Sequence, residues 1–259
     1  MGSASRIALA DTLTLLNELG DVSGVGAELL QASAELSSAG GLLAVVADAA
    51  ADSAEKSALI DRVFAPATEN TKKVLKAVSE GRWSNPSELL AGVEELGLRA
   101  EAITEPLIYE ELIAIEKVIS SDHELELTLG SKLVDSGAKA ALIEKLFNGK
   151  VSAAALNVTR HVVMNPRGRR VGRTLLDFAV VVANQGGNDL ATVTVAAPLD
   201  ETRLKNLEGL LSKSKGHPVK ITTVIDPQII GGMRIRIGDE VIDGTVKSKL
   251  DDLRLKLAV

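Results

Sequence analysis

The residues that could support catalysis are scattered along the chain and match no catalytic spacing. The 259-residue sequence has no cysteine, which excludes disulfides, thiolate metal sites and cysteine nucleophiles. His123, His161 and His217 lie far apart and outside any H-E-x-x-H frame, whereas zinc needs three or four converging ligands. Paired carboxylates such as Glu94 and Glu95 are interpreted as solvated helix faces. We therefore expect no cofactor and no metal, and an enzyme of unrecognised type is the weaker alternative.

A basic run is the strongest charge feature. Arg167, Arg169 and Arg170 lie together with Arg173 close behind. Residues 1–130 hold 9 basic and 22 acidic residues, a net charge of −13, whereas residues 131–259 hold 20 and 13, a net charge of +7. Opposite charges suggest different partners for the two ends. A nucleic-acid adaptor is one alternative, although the overall charge of −6 and the lack of aromatic residues after Phe178 argue against it.

An internal repeat organises the first two thirds of the chain. Residues 28–64 match residues 111–147 at a constant offset of 83, with identities such as Glu28/Glu111 and Leu42/Leu125. The densest match pairs Lys56–Phe64 with Lys139–Phe147. We interpret this pattern as one small helical domain copied in tandem.

The spacing of apolar residues predicts helices in both copies. Ser53 and Ser136 are predicted to cap equivalent helices, and Asn85-Pro86-Ser87 to open another. Few breakers lie between Glu88 and Ile119, so one kinked helix shared by both copies is a possible arrangement. No apolar run reaches the roughly 18 residues that span a bilayer. Because the start also lacks a signal-peptide pattern, we expect no membrane span.

The pattern changes from helical to alternating after Gly186-Gly187. Strands are predicted around Thr192–Val195, His217–Ile225, Gly232–Ile237 and Val241–Ile242, with a turn at Gly238-Asp239. Val246, Leu250, Leu253 and Leu257 form one apolar stripe on a last helix. The predicted fold is mainly α: two tandem related helical bundles, residues 1–96 and 97–187, followed by a small C-terminal α/β domain, residues 188–259.

The segment from Val224 to Val246 contains the sharpest motif. It holds a spaced apolar series, the pair Gly231-Gly232, an alternating strand and the sequence Ile242-Asp243-Gly244-Thr245-Val246. This order resembles the C-terminal signature of the F-type ATP synthase delta subunit family, which includes the oligomycin-sensitivity-conferring protein. The usual member has one bundle. A duplicated bundle with no stalk segment before it resembles the unfused actinobacterial kind.

The resemblance implies a non-catalytic stator subunit. Family members link alpha subunits of the F1 head to the b-type peripheral stalk and resist rotor torque during proton-driven ATP synthesis. The implied setting is a hetero-oligomer, peripheral on the cytoplasmic face of the cell membrane. Because residues 5–10 match the family's opening helix, the alpha-subunit contact is assigned to Arg6, Ile7, Val74 and Val78. The stalk contact is assigned to Gly231, Gly232, Arg234 and Arg236.

Overall fold

The chain divides into two compact units, Met1–Val182 and Ala183–Val259. The computed structural model describes residues 1–131, 133–238 and 240–257. Asp239 of the predicted turn and the side chains of Leu253 and Leu257 lie outside the described residues. Within the described residues, no single helix is long and apolar enough to cross a membrane; helices 25–38 and 40–47 meet that test only together, across a bend of 108°.

Unit 1 is built of helices alone among its described residues. They are α1 (Ser3–Glu18), α2 (Val25–Ser38), α3 (Gly40–Ala47), α4 (Ser53–Val63), α5 (Glu69–Glu80), α6 (Pro86–Thr104), α7 (Ile108–Ser121), α8 (His123–Gly130), α9 (Ser136–Phe147), α10 (Ala153–Met164) and α11 (Val171–Gln185), which runs into unit 2.

The helices repeat at the offset found in the sequence. Adding 83 to the bounds of α2 and α3 gives those of α7 and α8, and α1 begins 83 residues before α6. The caps repeat as well, because Asp52 and Asp135 accept hydrogen bonds from the first turns of α4 and α9. The predicted caps Ser53 and Ser136 are therefore wrong by one residue.

The repeat includes two equivalent lysines, and both are buried. Lys56 and Lys139 are each 4% exposed. The Lys56 ammonium donates to the carbonyl oxygens of Asp48, at 3.1 Å, and Ser79. Lys139 donates to the carbonyl of Ser131, which lies 83 positions after Asp48. Each lysine thus supplies donors to a carbonyl just past the end of the preceding helix, where no intrahelical partner exists.

Helix α6 begins the second copy, as the counterpart of α1, but it packs against helices of the first copy. The predicted boundary between residues 96 and 97 lies inside it, and it packs against α1, α2, α3 and α5. Its buried residues, such as Leu89, Val93 and Leu98, lie on all sides of the helix. The sequence left open whether one kinked helix runs from Glu88 to Ile119; the structure has two helices instead, since the chain leaves α6 after Thr104 and starts α7 at Ile108.

Unit 2 is a small α/β domain after the end of α11. Its elements are β1 (Asp189–Val195), α12 (Glu201–Lys215), β2 (Val219–Ile225), β3 (Met233–Ile237), β4 (Glu240–Asp243) and α13 (Val246–Leu257). The sheet order is β2-β1-β3-β4, with β1 and β2 parallel and the other pairs antiparallel. Val193, Ile235 and Ile237 form its core with Leu211 of α12. The predicted mainly α fold with a small C-terminal α/β domain is confirmed.

Candidate functional site

The described residues contain no group of three or more His, Cys, Asp or Glu side chains able to hold a metal ion. Unit 1 contains a buried charge cluster and a groove, and unit 2 contains an exposed apolar patch.

The charge cluster centres on Glu94 of α6, whose side chain is 5% exposed. Its Oε1 atom lies 2.8 Å from Nε2 of His161 on α10. The Arg169 guanidinium donates two hydrogen bonds of 3.0 Å to the two carboxylate oxygens. Arg167 lies 3.3 Å from Oε1 and donates to Ser33 Oγ of α2 at 2.8 Å. The cluster therefore ties α2, α6 and α10 to the loop before α11.

Charge pairing controls the ionisation of this cluster. Burial raises the pKa of Glu94, but hydrogen bonds from His161 and Arg169 and the charges of both arginines outweigh burial and lower the pKa from 4.5 to about 2. Burial also lowers the pKa of Arg167, against the attraction of Glu94. The carboxylate is ionised at neutral pH and neutralises guanidinium groups that would otherwise be buried without a counter-charge.

Two expectations from the sequence are corrected by this cluster. Glu94 is buried rather than solvated. The basic run is not an open patch, because Arg167 and Arg169 turn inward to Glu94 and Arg173 pairs with Asp177. The nucleic-acid alternative thereby loses two of the charges on which it depended, whereas Arg170 of the same run is exposed.

A groove lies between α1 and the end of α5. It has a volume of about 500 Å³, and its lining includes Ala4, Ile7, Asp11, Glu80 and Gly81. The side chain of Ile7 is 63% exposed, which is unusual for an isoleucine on a packed helix. A Cβ atom at Gly81 would lie 2.9 Å from that of Ala8, so glycine allows the close approach of this segment to α1.

The four residues assigned to the alpha-subunit contact fall into two groups. Arg6 and Ile7 are exposed on α1. Val74 and Val78 are 0% and 1% exposed in the core of unit 1. Their assignment to a partner surface is wrong, because valines at this spacing on α5 face the inside of the bundle.

In unit 2, the glycines of the signature hold two chain segments together. Gly232 has φ +80°, and a Cβ atom there would lie 2.3 Å from the Gly244 carbonyl oxygen. Val246 N donates to the Gly231 carbonyl at 3.0 Å, and Gly244 N to that of Met233 at 2.9 Å. The glycine pair thus fixes the start of β3 against the start of α13.

Charged residues of the signature also form contacts within unit 2. Asp243 accepts hydrogen bonds from Thr245 N and Thr245 Oγ1 and pairs with Arg234 at 3.0 Å. These contacts lower the pKa of Asp243, chiefly through the hydrogen bonds of Thr245. Arg236 is partly buried on the same strand. Arg234 keeps half of its side chain exposed while it pairs with Asp243, so the stalk contact assigned to this segment stays a prediction.

An apolar patch beside the signature is the feature that the sequence-based assignment missed. Ile230 is 82% exposed, Val246 41% and Leu250 49%; we call these three residues the Ile230 patch. Val246 lies against Gly231, and Leu250 follows one helical turn later. The spacing of Val246 and Leu250 was visible in the sequence. Periodicity alone does not show whether such a stripe faces a core or a partner.

Known proteins resemble this chain over most or all of its length. The family model "ATP synthase delta (OSCP) subunit" matches residues 106–257, from just before α7 through unit 2. Curated relatives named "ATP synthase subunit delta" include those of Leifsonia xyli, 40% identical over 263 residues, and Thermobifida fusca, 30% identical over 268 residues, each covering 100% of both chains. A chain of the Toxoplasma gondii mitochondrial ATP synthase hexamer matches with 14% identity and a TM-score of 0.41, over 62% of this chain and 97% of that one.

Proposed function

The chain belongs to the ATP synthase delta (OSCP) subunit family, and from this premise we propose that it is a non-catalytic stator subunit of a rotary F-type ATP synthase. In this role it links the N-terminal helices of alpha subunits on the F1 head to the b-type peripheral stalk and resists rotor torque. It acts in a hetero-oligomer, peripheral on the cytoplasmic face of the cell membrane. The observation that carries the proposal is the similarity to delta subunits over the full length of the chain.

Unit 1 is assigned to the head. The groove between α1 and α5 is apolar at Ala4 and Ile7 and charged at its rim through Asp11 and Glu80. An amphipathic helix fits such a groove, because its apolar side covers the floor while polar residues meet the rim. Covering the exposed part of the Ile7 side chain, 63% of it, contributes about 1–2 kcal/mol to such a contact.

Unit 2 is assigned to the stalk. The Ile230 patch is apolar and exposed, and one of its members, Val246, lies against Gly231. A pre-formed patch loses little conformational entropy on binding, which favours a tight contact. A link under torque needs such contacts, since exposed ion pairs contribute only about 0–1 kcal/mol each.

A reconstitution experiment tests both assignments. ATPase heads and stalk-containing membranes, each stripped of this subunit, are incubated with the full-length chain or with single variants. We expect Ile7→Glu to lose head binding and keep stalk binding, and Ile230→Asp to do the opposite. Ile103→Asp, at an exposed isoleucine outside both surfaces, is the matched control. If the wild-type chain restores neither interaction, the stator proposal is wrong; if each variant affects the other interaction, the assignment of the units is wrong.

A further inference from the structure

The face of α1 that borders the groove has an exact counterpart on α6. We define the α1 stripe as the exposed residues Ile7, Ala10, Asp11, Thr14 and Glu18. Their counterparts 83 positions later are all buried: Leu90, Val93, Glu94, Gly97 and Glu101. The same helix face is therefore open in the first copy and covered in the second.

Helix α2 covers the C-terminal part of the α6 counterpart of the α1 stripe, at Gly97 and Glu101, whereas Leu90 and Val93 belong to the first hydrophobic cluster. A Cβ atom at Gly97 would lie 3.0 Å from Cγ of Leu30, and one at Gly26 would lie 2.5 Å from Cγ of Glu101. Leu30 is 2% exposed but lies outside the first hydrophobic cluster, to which Leu29 and Leu36 belong. Helix α2 thus has two contact faces, one for the first core and one for the second copy.

The same helix also packs against α10, the counterpart of α5. The α2 residues Ala27, Leu30 and Ala34 line a cleft with Met164 and Asn165 at the end of α10. These last two positions correspond to Gly81 and Arg82 of the open groove. Helix α2 therefore contacts both helices whose first-copy counterparts form the open groove.

We propose that the chain fills its own second helix-docking surface with α2, so that unit 1 binds one partner helix, at the α1 stripe. This proposal rests on the proposed function. By analogy with α2, the partner helix is expected to present small residues around one residue of the size of leucine. Because Glu94 is neutralised by arginines and its counterpart Asp11 is exposed, the partner supplies a lysine or arginine to Asp11.

Isothermal titration calorimetry with a synthetic peptide tests the proposal. The peptide spans the N-terminal helix of the alpha subunit, and the full-length chain is the receptor. We expect one equivalent of peptide to bind. Ile7→Glu and Thr14→Arg should each weaken binding at least about tenfold, because they alter exposed residues of the α1 stripe. Asp11→Asn should weaken peptide binding by a smaller factor and make the affinity less dependent on the salt concentration.

The matched control is Met164→Glu, which alters a 43% exposed residue of the cleft between α2 and α10. It should leave both stoichiometry and affinity unchanged, and thermal melting followed by circular dichroism verifies that each variant is folded. Two equivalents for the wild-type chain, or lost binding in Met164→Glu with binding retained in Ile7→Glu, would overturn the proposal. If the wild-type chain binds no peptide, the head contact of the proposed function fails as well.

Discussion

Replacing Glu94 with glutamine should destabilise unit 1 strongly, because it removes the carboxylate that pairs with both Arg167 and Arg169. The glutamine amide has nearly the same shape but no charge. Two guanidinium groups then stay partly buried without their counter-charge, and removing one partner of a buried ion pair costs about 3–5 kcal/mol.

The pKa of Glu94 gives a second measure of this cost. A shift from 4.5 to about 2 corresponds to about 3 kcal/mol of stability at neutral pH. Because the pKa is lower in the folded state, this contribution is complete above about pH 4.5 and disappears as the pH falls through about 2. At pH 3 about 1 kcal/mol of it is left. The stability difference between the wild-type chain and Glu94→Gln should therefore shrink by about 2 kcal/mol between pH 7 and pH 3.

Urea unfolding followed by tryptophan fluorescence measures this effect in unit 1. Trp83 is the single tryptophan, is 7% exposed, and donates a 2.8 Å hydrogen bond to the Val78 carbonyl. Its signal therefore reports on unit 1 even if the two units unfold separately. The control is Glu95→Gln, at the neighbouring carboxylate, which pairs with Arg99 within the same helix. That change should cost at most about 1 kcal/mol.

Two results would refute this reasoning. One is a cost of less than about 1 kcal/mol for Glu94→Gln at neutral pH. The other is a difference from the wild-type chain that stays constant between neutral and acidic pH. Either would mean that the arginines find other partners or water, and that Glu94 does not hold the helices of the two copies together.

Three further predictions follow from close contacts. Gly232→Ala should destabilise unit 2 by more than about 1–2 kcal/mol, whereas Gly231→Ala should cost less; hydrogen exchange of β3 and α13 measures both. Lys56→Met and Lys139→Met should each cost about 1–3 kcal/mol in urea unfolding, since the first leaves two carbonyl groups and the second one carbonyl group without a donor; a cost near zero for either variant would contradict these contacts. Gly97→Val should lower the thermal midpoint of unit 1 by forcing α2 away from α6, and an unchanged midpoint would contradict the close packing.

Much of the fold was predictable because its signals are local. Alternation placed β3 with Ile235 and Ile237 facing the core, and the 83-residue offset predicted the repeated helices. The break between α6 and α7 could not be decided from the sequence, because the proline between Thr104 and Ile108 is a residue that helices also tolerate in a first turn. The caps at Asp52 and Asp135 were missed because aspartate and serine are nearly equal in this position.

The functional surfaces were harder to predict because burial depends on contacts between distant parts of the chain. Valine side chains such as those of Val74 and Val78 suit a docking surface as well as a core. Only the packing of the helices shows that these two lie in the core. Arg167 and Arg169 formed a basic run in the sequence, yet their partner Glu94 lies more than 70 positions earlier. Ile230 was part of a recognised motif, but its exposure could not be inferred from the motif.

The sequence of the repeat itself nevertheless distinguishes the open surface from the closed one. Between the α1 stripe and its α6 counterpart, alanine becomes valine at position 93 and threonine becomes glycine at position 97. The first change adds apolar volume to a fully buried position, and the second removes the side chain where Leu30 approaches. Both changes suit a helix enclosed by neighbours, and neither suits an exposed one. In a duplicated domain, one copy of a docking surface can thus stay exposed while the other copy is buried within the same chain.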